Sequence, residues 1–276
     1  MAVCLFLFRM SEQNMISSTS NKKVSEVVEL QKKSRVRNKQ GLFVIEGRKM
    51  FMEAPREWIV QTYAEESIWN SAEDSLKDKL RAVNAESVSA EVMKKMCDTQ
   101  TPQGILALVR QKEYELKDLL SPGKTPLLLI IEQLQDPGNL GTLIRTGEGA
   151  GVTGIVLSKG TVDLYNPKVI RASMGSIYRM PVCQVENLDT TIGEMKSRGI
   201  AVYAAHLKGQ KYHDAFDYTK PCGFMIGNEG NGLTDHAASL ADSYIRIPME
   251  GSVESLNAAI AGTLLIYEAN RQRRNQ

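Results

Sequence analysis

The sequence is poor in the residues that build metal centres and disulfide frameworks. Its 276 residues include only four cysteines and three histidines. The cysteines lie far apart without a Cys-X-X-Cys pair, and the histidines show no ligand spacing. This scarcity argues against a zinc site and against a disulfide-stabilised fold. It predicts a protein of the reducing cytoplasm that holds no metal.

Long hydrophobic runs are missing as well. No segment approaches the roughly 20 consecutive apolar residues that span a bilayer, so we expect no membrane association. The apolar run at residues 2–8 is too short for a signal peptide, and no basic residue precedes it. We expect residues 1–21 to form a disordered extension, with Met15 as a candidate for the natural initiator.

The remaining composition is that of a globular protein with an uneven charge distribution. Hydrophobic residues make up 42% and charged residues 24%, and the net charge is only +2. Between Lys22 and Lys49, however, nine Lys/Arg residues stand against three glutamates. Three further arginines lie close to the C-terminus, at 271, 273 and 274. Basic clusters of this kind suit a phosphate backbone.

The hydrophobic pattern predicts two α/β domains joined by a linker. Residues 22–110 alternate short helical and strand patterns, and residues 111–126 are polar and turn-rich, as linkers are. From residue 127 to 276, short continuous apolar runs alternate with helical stretches. Such runs indicate a parallel sheet covered on both faces. The predicted strands of this second domain are 127–131, 154–157, 201–205, 224–226 and 244–247.

Two glycine-rich segments imitate nucleotide-binding fingerprints. Residues 147–151 and 149–154 match the glycine spacing, but they follow a predicted helix and precede a strand. A dinucleotide fingerprint has the reverse order, because its glycines must open the helix that follows the strand. The sequence therefore disfavours a Rossmann-type cofactor site.

Three other segments follow predicted strands of the second domain and are rich in Gly, Asn and Ser. They are residues 136–146, 226–233 and 247–257. Loops at the carboxyl ends of parallel strands meet at one crevice. We therefore expect a shared ligand site, although an ordinary helix capped by Ser252 or Ser255 would also explain the third segment.

These three segments, in this order and spacing, resemble the signature motifs of the SpoU/TrmH-type methyltransferases of the SPOUT superfamily. The resemblance covers residues 127–270. Residues 22–110 resemble the RNA 2'-O-ribose methyltransferase substrate-binding domain, recognisable at 37–47 and 101–105. The resemblance implies an α/β fold: a C-terminal parallel-sheet domain with a deep trefoil knot, and a small N-terminal α/β sandwich like RNA-binding ribosomal proteins.

The resemblance also implies S-adenosylmethionine as the cofactor, and it assigns the site residues. The implied cofactor contacts are Gly227, Ile247, Leu256 and Ala205. The implied catalytic residues are Arg145, Asn139, Glu229, Ser255 and Asn257. Because a guanidinium stays protonated, we expect Arg145 to hold a phosphate and stabilise the developing alkoxide rather than act as a base.

The expected function is methylation of a ribose 2'-hydroxyl in structured RNA, above all 23S rRNA. We expect the first domain to dock the RNA through Lys32, Lys33, Arg35, Arg37 and Lys39. The predicted helix 256–270 is apolar on nearly every face and needs cover on more than one of them. The resemblance implies a homodimer through the second domain, which would supply that cover. A transfer RNA substrate and a non-catalytic RNA-binding ribosome-assembly factor remain alternatives.

Overall fold

A computed structural model describes residues 15–120 and 123–275. The chain divides into two compact units between Gln111 and Lys112, next to the boundary expected at residue 110. The predicted extension at residues 1–14 lies outside the described residues.

The first unit is a small α/β sandwich. Its described residues form a four-stranded sheet in the order β1-β4-β2-β3, in which β4 is antiparallel to both neighbours and β3 is parallel to β2. The strands are β1 Leu42–Glu46, β2 Ile59–Glu65, β3 Glu86–Val88 and β4 Ile105–Arg110. The helices are α1 Lys22–Lys32, α2 Ser34–Gln40, α3 Arg48–Glu53, α4 Glu66–Ser71, α5 Asp74–Ala82 and α6 Ala90–Met96.

The basic segment that opens this unit forms two helices. Lys33 has extended backbone angles and separates α1 from α2. Val24, Val27 and Leu30 recur every three residues along α1 and are fully buried, because this spacing places them on one face of a helix. This face of α1 belongs to the hydrophobic core of the first unit.

The expectation of a disordered extension at residues 1–21 is wrong for residues 15–21. Ile16 forms a parallel bridge with Val88 and joins the hydrophobic core. Its N–H donates to the carbonyl of Ser87 at 3.0 Å, and its carbonyl accepts from Ser89 N at 3.1 Å. The segment is ordered because it satisfies backbone groups on the open edge of β3.

The second unit is built on a parallel sheet, as predicted. Its described residues form seven strands in the order β7-β6-β5-β10-β8-β11-β9, and every pair is parallel. The strands are β5 Leu127–Ile131, β6 Gly154–Ser158, β7 Val182–Val185, β8 Ala201–Ala205, β9 Lys211–Tyr212, β10 Cys222–Ile226 and β11 Ser243–Arg246. The helices are α7 Pro137–Ala150, α8 Pro167–Ser173, α9 Leu188–Ser197, α10 Asp235–Ser239 and α11 Ala258–Arg274.

The order of the strands in the second sheet determines which loops can form a ligand site. From β5 the chain adds β6 and β7 on one side, and it later returns to insert β10 between β5 and β8. Every residue of β5 and β10 is buried, which explains their continuous apolar sequences. The loops that leave the carboxyl ends of β5, β8, β10 and β11 therefore lie along one edge of the sheet. This edge is where open α/β sheets bind ligands.

The polar segment interpreted as a linker contains structure of its own. A 3₁₀ helix at Leu116–Leu119 places Leu116 and Leu119 in the core of the second unit. A Cβ atom at Gly154 would lie 2.1 Å from Leu119 Cγ, so this glycine makes room for the leucine. This part of residues 111–126 packs with the second sheet and does not connect the units as an extended chain.

Two helix ends clarify the sequence patterns. Gly151 ends α7 in a left-handed conformation, so the glycine run at 147–151 closes a helix, as its position before a strand predicted. The last helix begins at Ala258, two residues later than expected, and its N-cap is Asn257 rather than Ser252 or Ser255. None of the helices in the described ranges is both long and apolar enough to cross a membrane.

Candidate active site

The carboxyl ends of β8, β10 and β11 surround a cavity of about 310 Å³. One wall is the continuous segment 226–233. A second part of the lining comes from residues 245–247, 249, 254–256, 258 and 261. Ala205 and the two residues after it close a third side. Two of the three loops predicted to meet at this edge, those after β10 and β11, line one cavity.

The first wall depends on an unusually close approach of two backbone segments. A Cβ atom at Gly227 would lie 2.1 Å from the carbonyl carbon of Gly232 and 2.1 Å from the nitrogen of Leu233. Asn228 and Gly232 also exchange backbone hydrogen bonds of 3.0 and 2.9 Å. The loop is thus a closed turn whose base has no room for a side chain at residue 227.

The first of the three predicted segments, residues 136–146, contacts this loop through Glu229. Its carboxylate accepts hydrogen bonds from Gln135 N at 3.0 Å, Asp136 N at 2.8 Å and Asn139 Nδ2 at 3.0 Å. Asn139 Oδ1 in turn accepts from Asn257 Nδ2 at 3.0 Å. Glu229, Asn139 and Asn257 therefore form one hydrogen-bonded relay that connects all three segments.

The pKa of Glu229 reflects this relay. Partial burial acts to raise it, but the hydrogen bonds from Asn139 and from the two backbone N–H groups stabilise the charged form and outweigh burial. The net result is a pKa below the ordinary value, so the carboxylate is ionised at neutral pH. Glu229 is an acceptor that orients Asn139, and its low pKa does not suit a general base working near pH 7.

The two asparagines differ in their capping roles. Asn139 does not cap α7, because Asp136 is the N-cap and accepts from Asn139 N at 2.8 Å. The side chain of Asn139 is consequently free to join the relay. Asn257 both caps α11 and joins the relay. Its Oδ1 accepts from Ala259 N and Ile260 N, while its Nδ2 donates to Asn139.

Arg145 lies on the exposed side of α7, six residues after Asn139. Within the described ranges it has no hydrogen-bond or ion-pair partner. Glu148, a natural partner one turn along, is engaged by Arg179 instead. Glu229 is occupied by the relay. The guanidinium charge of Arg145 is therefore available to an incoming group.

The predicted site residues are brought together to different degrees. All four predicted cofactor contacts line the cavity, namely Ala205, Gly227, Ile247 and Leu256. Two of the predicted catalytic residues, Glu229 and Ser255, line it as well. Asn139, Asn257 and Arg145 do not line it. Asn139 donates to the cavity residue Glu229, and Asn257 donates to Asn139. The functional roles of all these residues remain predictions.

One predicted RNA contact is wrong. Arg37 is only 3% exposed, and its guanidinium donates to the carbonyls of Leu30 at 2.6 Å and Gln31 at 3.0 Å. It is a structural residue that joins α2 to the end of α1. The other four predicted contacts are exposed, namely Lys32, Lys33, Arg35 and Lys39, and Lys33 pairs with Glu29 at 2.6 Å.

The basic C-terminus is also partly structural. Arg273 donates to the carbonyls of Tyr218, Thr125, Pro126 and Lys220 at 2.8–2.9 Å. A side chain with these partners holds the end of α11 against the loops before β5 and β10. It is not available to a phosphate group.

Sequence reasoning missed several residues that line the cavity. His206 and Leu207 follow β8 directly, Arg246 ends β11, and Met249 and Glu254 lie in the loop before α11. The rule that found the three loops also applies to the residues after β8, because that strand ends at the same edge. Nothing in the local sequence distinguishes Met249 or Glu254 from ordinary loop residues.

Known proteins share this architecture along nearly the whole chain. The chain is 31% identical over 252 residues to the 23S rRNA (guanosine(2553)-2'-O)-methyltransferase RlmP of Bacillus subtilis, covering 91% of this chain and 97% of that protein. It superposes on the AdoMet-bound rRNA methyltransferase of Sinorhizobium meliloti with a TM-score of 0.82 and 29% identity, covering 93% and 97%. The SpoU methyltransferase AviRb of Streptomyces viridochromogenes with AdoMet also gives 0.82, at 26% identity and 92% and 98% coverage.

The fold, the cavity and these likenesses define an RNA methyltransferase that uses S-adenosylmethionine. Residues 126–267 match the SpoU rRNA Methylase family, and residues 21–107 match the MRM3-like substrate binding domain. The chain belongs to the SpoU rRNA Methylase family, as the resemblance of its three motifs implied.

Proposed function

We propose that this protein transfers the methyl group of S-adenosylmethionine to a ribose 2'-hydroxyl of large-subunit ribosomal RNA in the cytoplasm. The observation that carries the proposal is the relay of Glu229, Asn139 and Asn257 beside the cavity at the carboxyl ends of β8, β10 and β11. The printed activity of the Bacillus subtilis relative, 2'-O-methylation of a 23S rRNA guanosine, supports the ribosomal substrate.

The cavity suits S-adenosylmethionine in size and chemistry. Its volume of about 310 Å³ lies at the lower end of the range for small-molecule sites. Ile226, Leu233, Ile245 and Leu256 provide apolar surface. The glycines of the 226–233 wall bring backbone groups close to a ligand, and Glu229 and Glu254 supply negative charge for a cationic molecule.

The bound cofactor supplies a methyl group on a positively charged sulfur, which a nucleophilic oxygen can attack. The chain's own part is to hold the ribose and to stabilise its oxygen while the hydroxyl proton passes to solvent water. Arg145 carries the unpaired, permanent charge for this role. We infer that it binds an RNA phosphate and lowers the energy of the developing alkoxide, while the relay keeps Asn139 oriented toward the site.

The first unit supplies RNA docking in this proposal. Lys32, Lys33, Arg35 and Lys39 present four exposed cations around the junction of α1 and α2. Phosphate contacts of this type give salt-dependent binding without base specificity. The match of residues 21–107 to a substrate binding domain supports the assignment.

We also propose a homodimer and a knotted C-terminal segment. Ile260, Leu264 and Tyr267 form one stripe along α11 and are 51%, 41% and 45% exposed. An apolar stripe of this spacing suits a second copy of the chain. The return of the chain to insert β10 between earlier strands, together with the family match, supports a trefoil knot.

The proposal is tested by methyl transfer from radiolabelled S-adenosylmethionine to total RNA, followed by mapping of 2'-O-methyl positions. We expect label in large-subunit rRNA with wild-type protein and none with Arg145→Ala, whose cofactor affinity and folding should be unchanged. Arg145→Lys keeps the charge and should retain part of the activity. Label in transfer RNA would redirect the substrate assignment. Cofactor binding without any transfer would favour an assembly factor.

A further inference from the structure

A buried carboxylate outside the predicted site connects the carboxyl end of β5 to the loop that follows β10. Glu132 follows β5 directly and is only 6% exposed. Its N–H donates to the carbonyl of Ile226 at 2.8 Å, so it extends the pairing of β5 with β10 by one residue. Both carboxylate oxygens bind Thr234, one to the backbone N at 2.8 Å and the other to Oγ1 at 2.7 Å.

Thr234 is the residue at which the cavity wall ends. Residues 226–233 line the cavity without interruption, and α10 begins immediately after Thr234. The Thr234 hydroxyl also accepts from Ala237 N at 3.1 Å and so caps this helix. Glu132 therefore holds both ends of the wall: Ile226 through its backbone and Thr234 through its side chain.

The residue after Glu132 adds a second attachment. Gln133 has a positive φ of 51° although it is not glycine. Its carbonyl accepts from Asn228 Nδ2 at 3.0 Å, and its N–H donates to Ser158 Oγ at 3.0 Å. Such a conformation persists only where the surroundings fix it, and it concentrates at functional sites. The contacts around Glu132 and Gln133 thus fix the middle and the end of the wall to β5.

We infer that Glu132 is a positioning residue, which sets the shape of the cofactor cavity through Thr234 without contacting the cofactor. The inference rests on the proposed function of that cavity. A buried carboxylate must keep its hydrogen-bond donors, because an unpaired buried charge is costly. Glutamine has the same size but is neutral and offers one acceptor oxygen, so one of the two Thr234 donors loses its carboxylate acceptor. The wall should therefore loosen in Glu132→Gln.

The test measures S-adenosylmethionine affinity by calorimetry in wild type and Glu132→Gln. We expect the Kd to rise about tenfold or more. KM for the cofactor should rise in parallel. The kcat measured at saturating cofactor should stay near wild type, and so should the affinity for RNA. Thr234→Ser keeps both donors and should bind like wild type. Thr234→Val removes only the hydroxyl and should weaken binding severalfold, which provides the test if Glu132→Gln does not fold.

A matched control exists in the first unit. Glu46 accepts from Asp98 N at 2.7 Å and from Thr99 Oγ1 at 2.8 Å, which is the same kind of carboxylate–threonine attachment. Glu46→Gln should leave cofactor affinity unchanged. Wild-type affinity in Glu132→Gln, or an equal loss in Glu46→Gln, would overturn the positioning role. Failure of the wild-type protein to bind S-adenosylmethionine would instead overturn the proposed function and this inference with it.

Discussion

Substitution of Gly227 by alanine tests the geometry of the cavity most directly. The added methyl group would lie 2.1 Å from two backbone atoms of Gly232 and Leu233, whereas ordinary contacts are 3.4–4 Å. These atoms belong to backbone and cannot rotate away, so the two sides of the loop must separate by more than an ångström. Overpacking of this kind costs about 1–3 kcal/mol. The strain falls on the wall of the cavity.

We expect Gly227→Ala to weaken S-adenosylmethionine binding by about fivefold to 150-fold, the range that corresponds to about 1–3 kcal/mol. Calorimetric titration measures the affinity, and circular dichroism at the same temperature verifies that the protein is folded. Gly251→Ala is the matched control, because a Cβ atom there meets nothing within 4 Å and this glycine lies in the loop before α11. Wild-type affinity in Gly227→Ala, or an equal loss in Gly251→Ala, would refute the reasoning.

Three further predictions concern burial, charge and assembly. Arg37→Ala should lower the free energy of unfolding by about 2–4 kcal/mol in denaturant titrations, because it leaves buried carbonyls unpaired. Lys39→Ala should leave stability unchanged and weaken RNA binding. Lost RNA binding in Arg37→Ala together with lost stability in Lys39→Ala would reverse the two assignments. The lowered pKa of Glu229 contributes stability above the unfolded-state pKa, which is lost as pH falls through the lower folded-state value. The free energy of unfolding should thus fall in acid buffer as Glu229 becomes protonated, and Glu229→Gln should abolish that part of the acid dependence in denaturant titrations. Leu264→Arg should convert a dimer to a monomer in sedimentation experiments, and an unchanged mass would remove the α11 stripe from the interface.

Patterns among neighbouring residues in the sequence predicted most of the fold. The continuous apolar run at 127–131 predicted a strand buried on both faces, and the glycines at 147–151 end a helix, as their order predicted. The three polar loops were predictable because all parallel strands end at one edge. The match of residues 126–267 to a methylase family agrees with the resemblance carried by these loops.

Contacts between distant residues were not predictable in the same way. Arg37 belongs to a basic run, and only its backbone partners show that it is buried. Ile16 looks like part of a polar tail until β3 offers it an open edge. Glu132 and Thr234 are 102 residues apart. Their pairing depends on the insertion of β10 beside β5, which no local pattern encodes.

The position of the cavity residues along the chain has a consequence for biosynthesis. Its walls come from residues 205–261, and the relay closes only when Asn257 reaches Asn139, 118 residues earlier. A nascent chain folds from its N-terminus as it emerges, so the first unit is made well before the cavity is complete. A chain that ends before α11 lacks Ala258 and Ala261, and it therefore cannot complete the cavity lining.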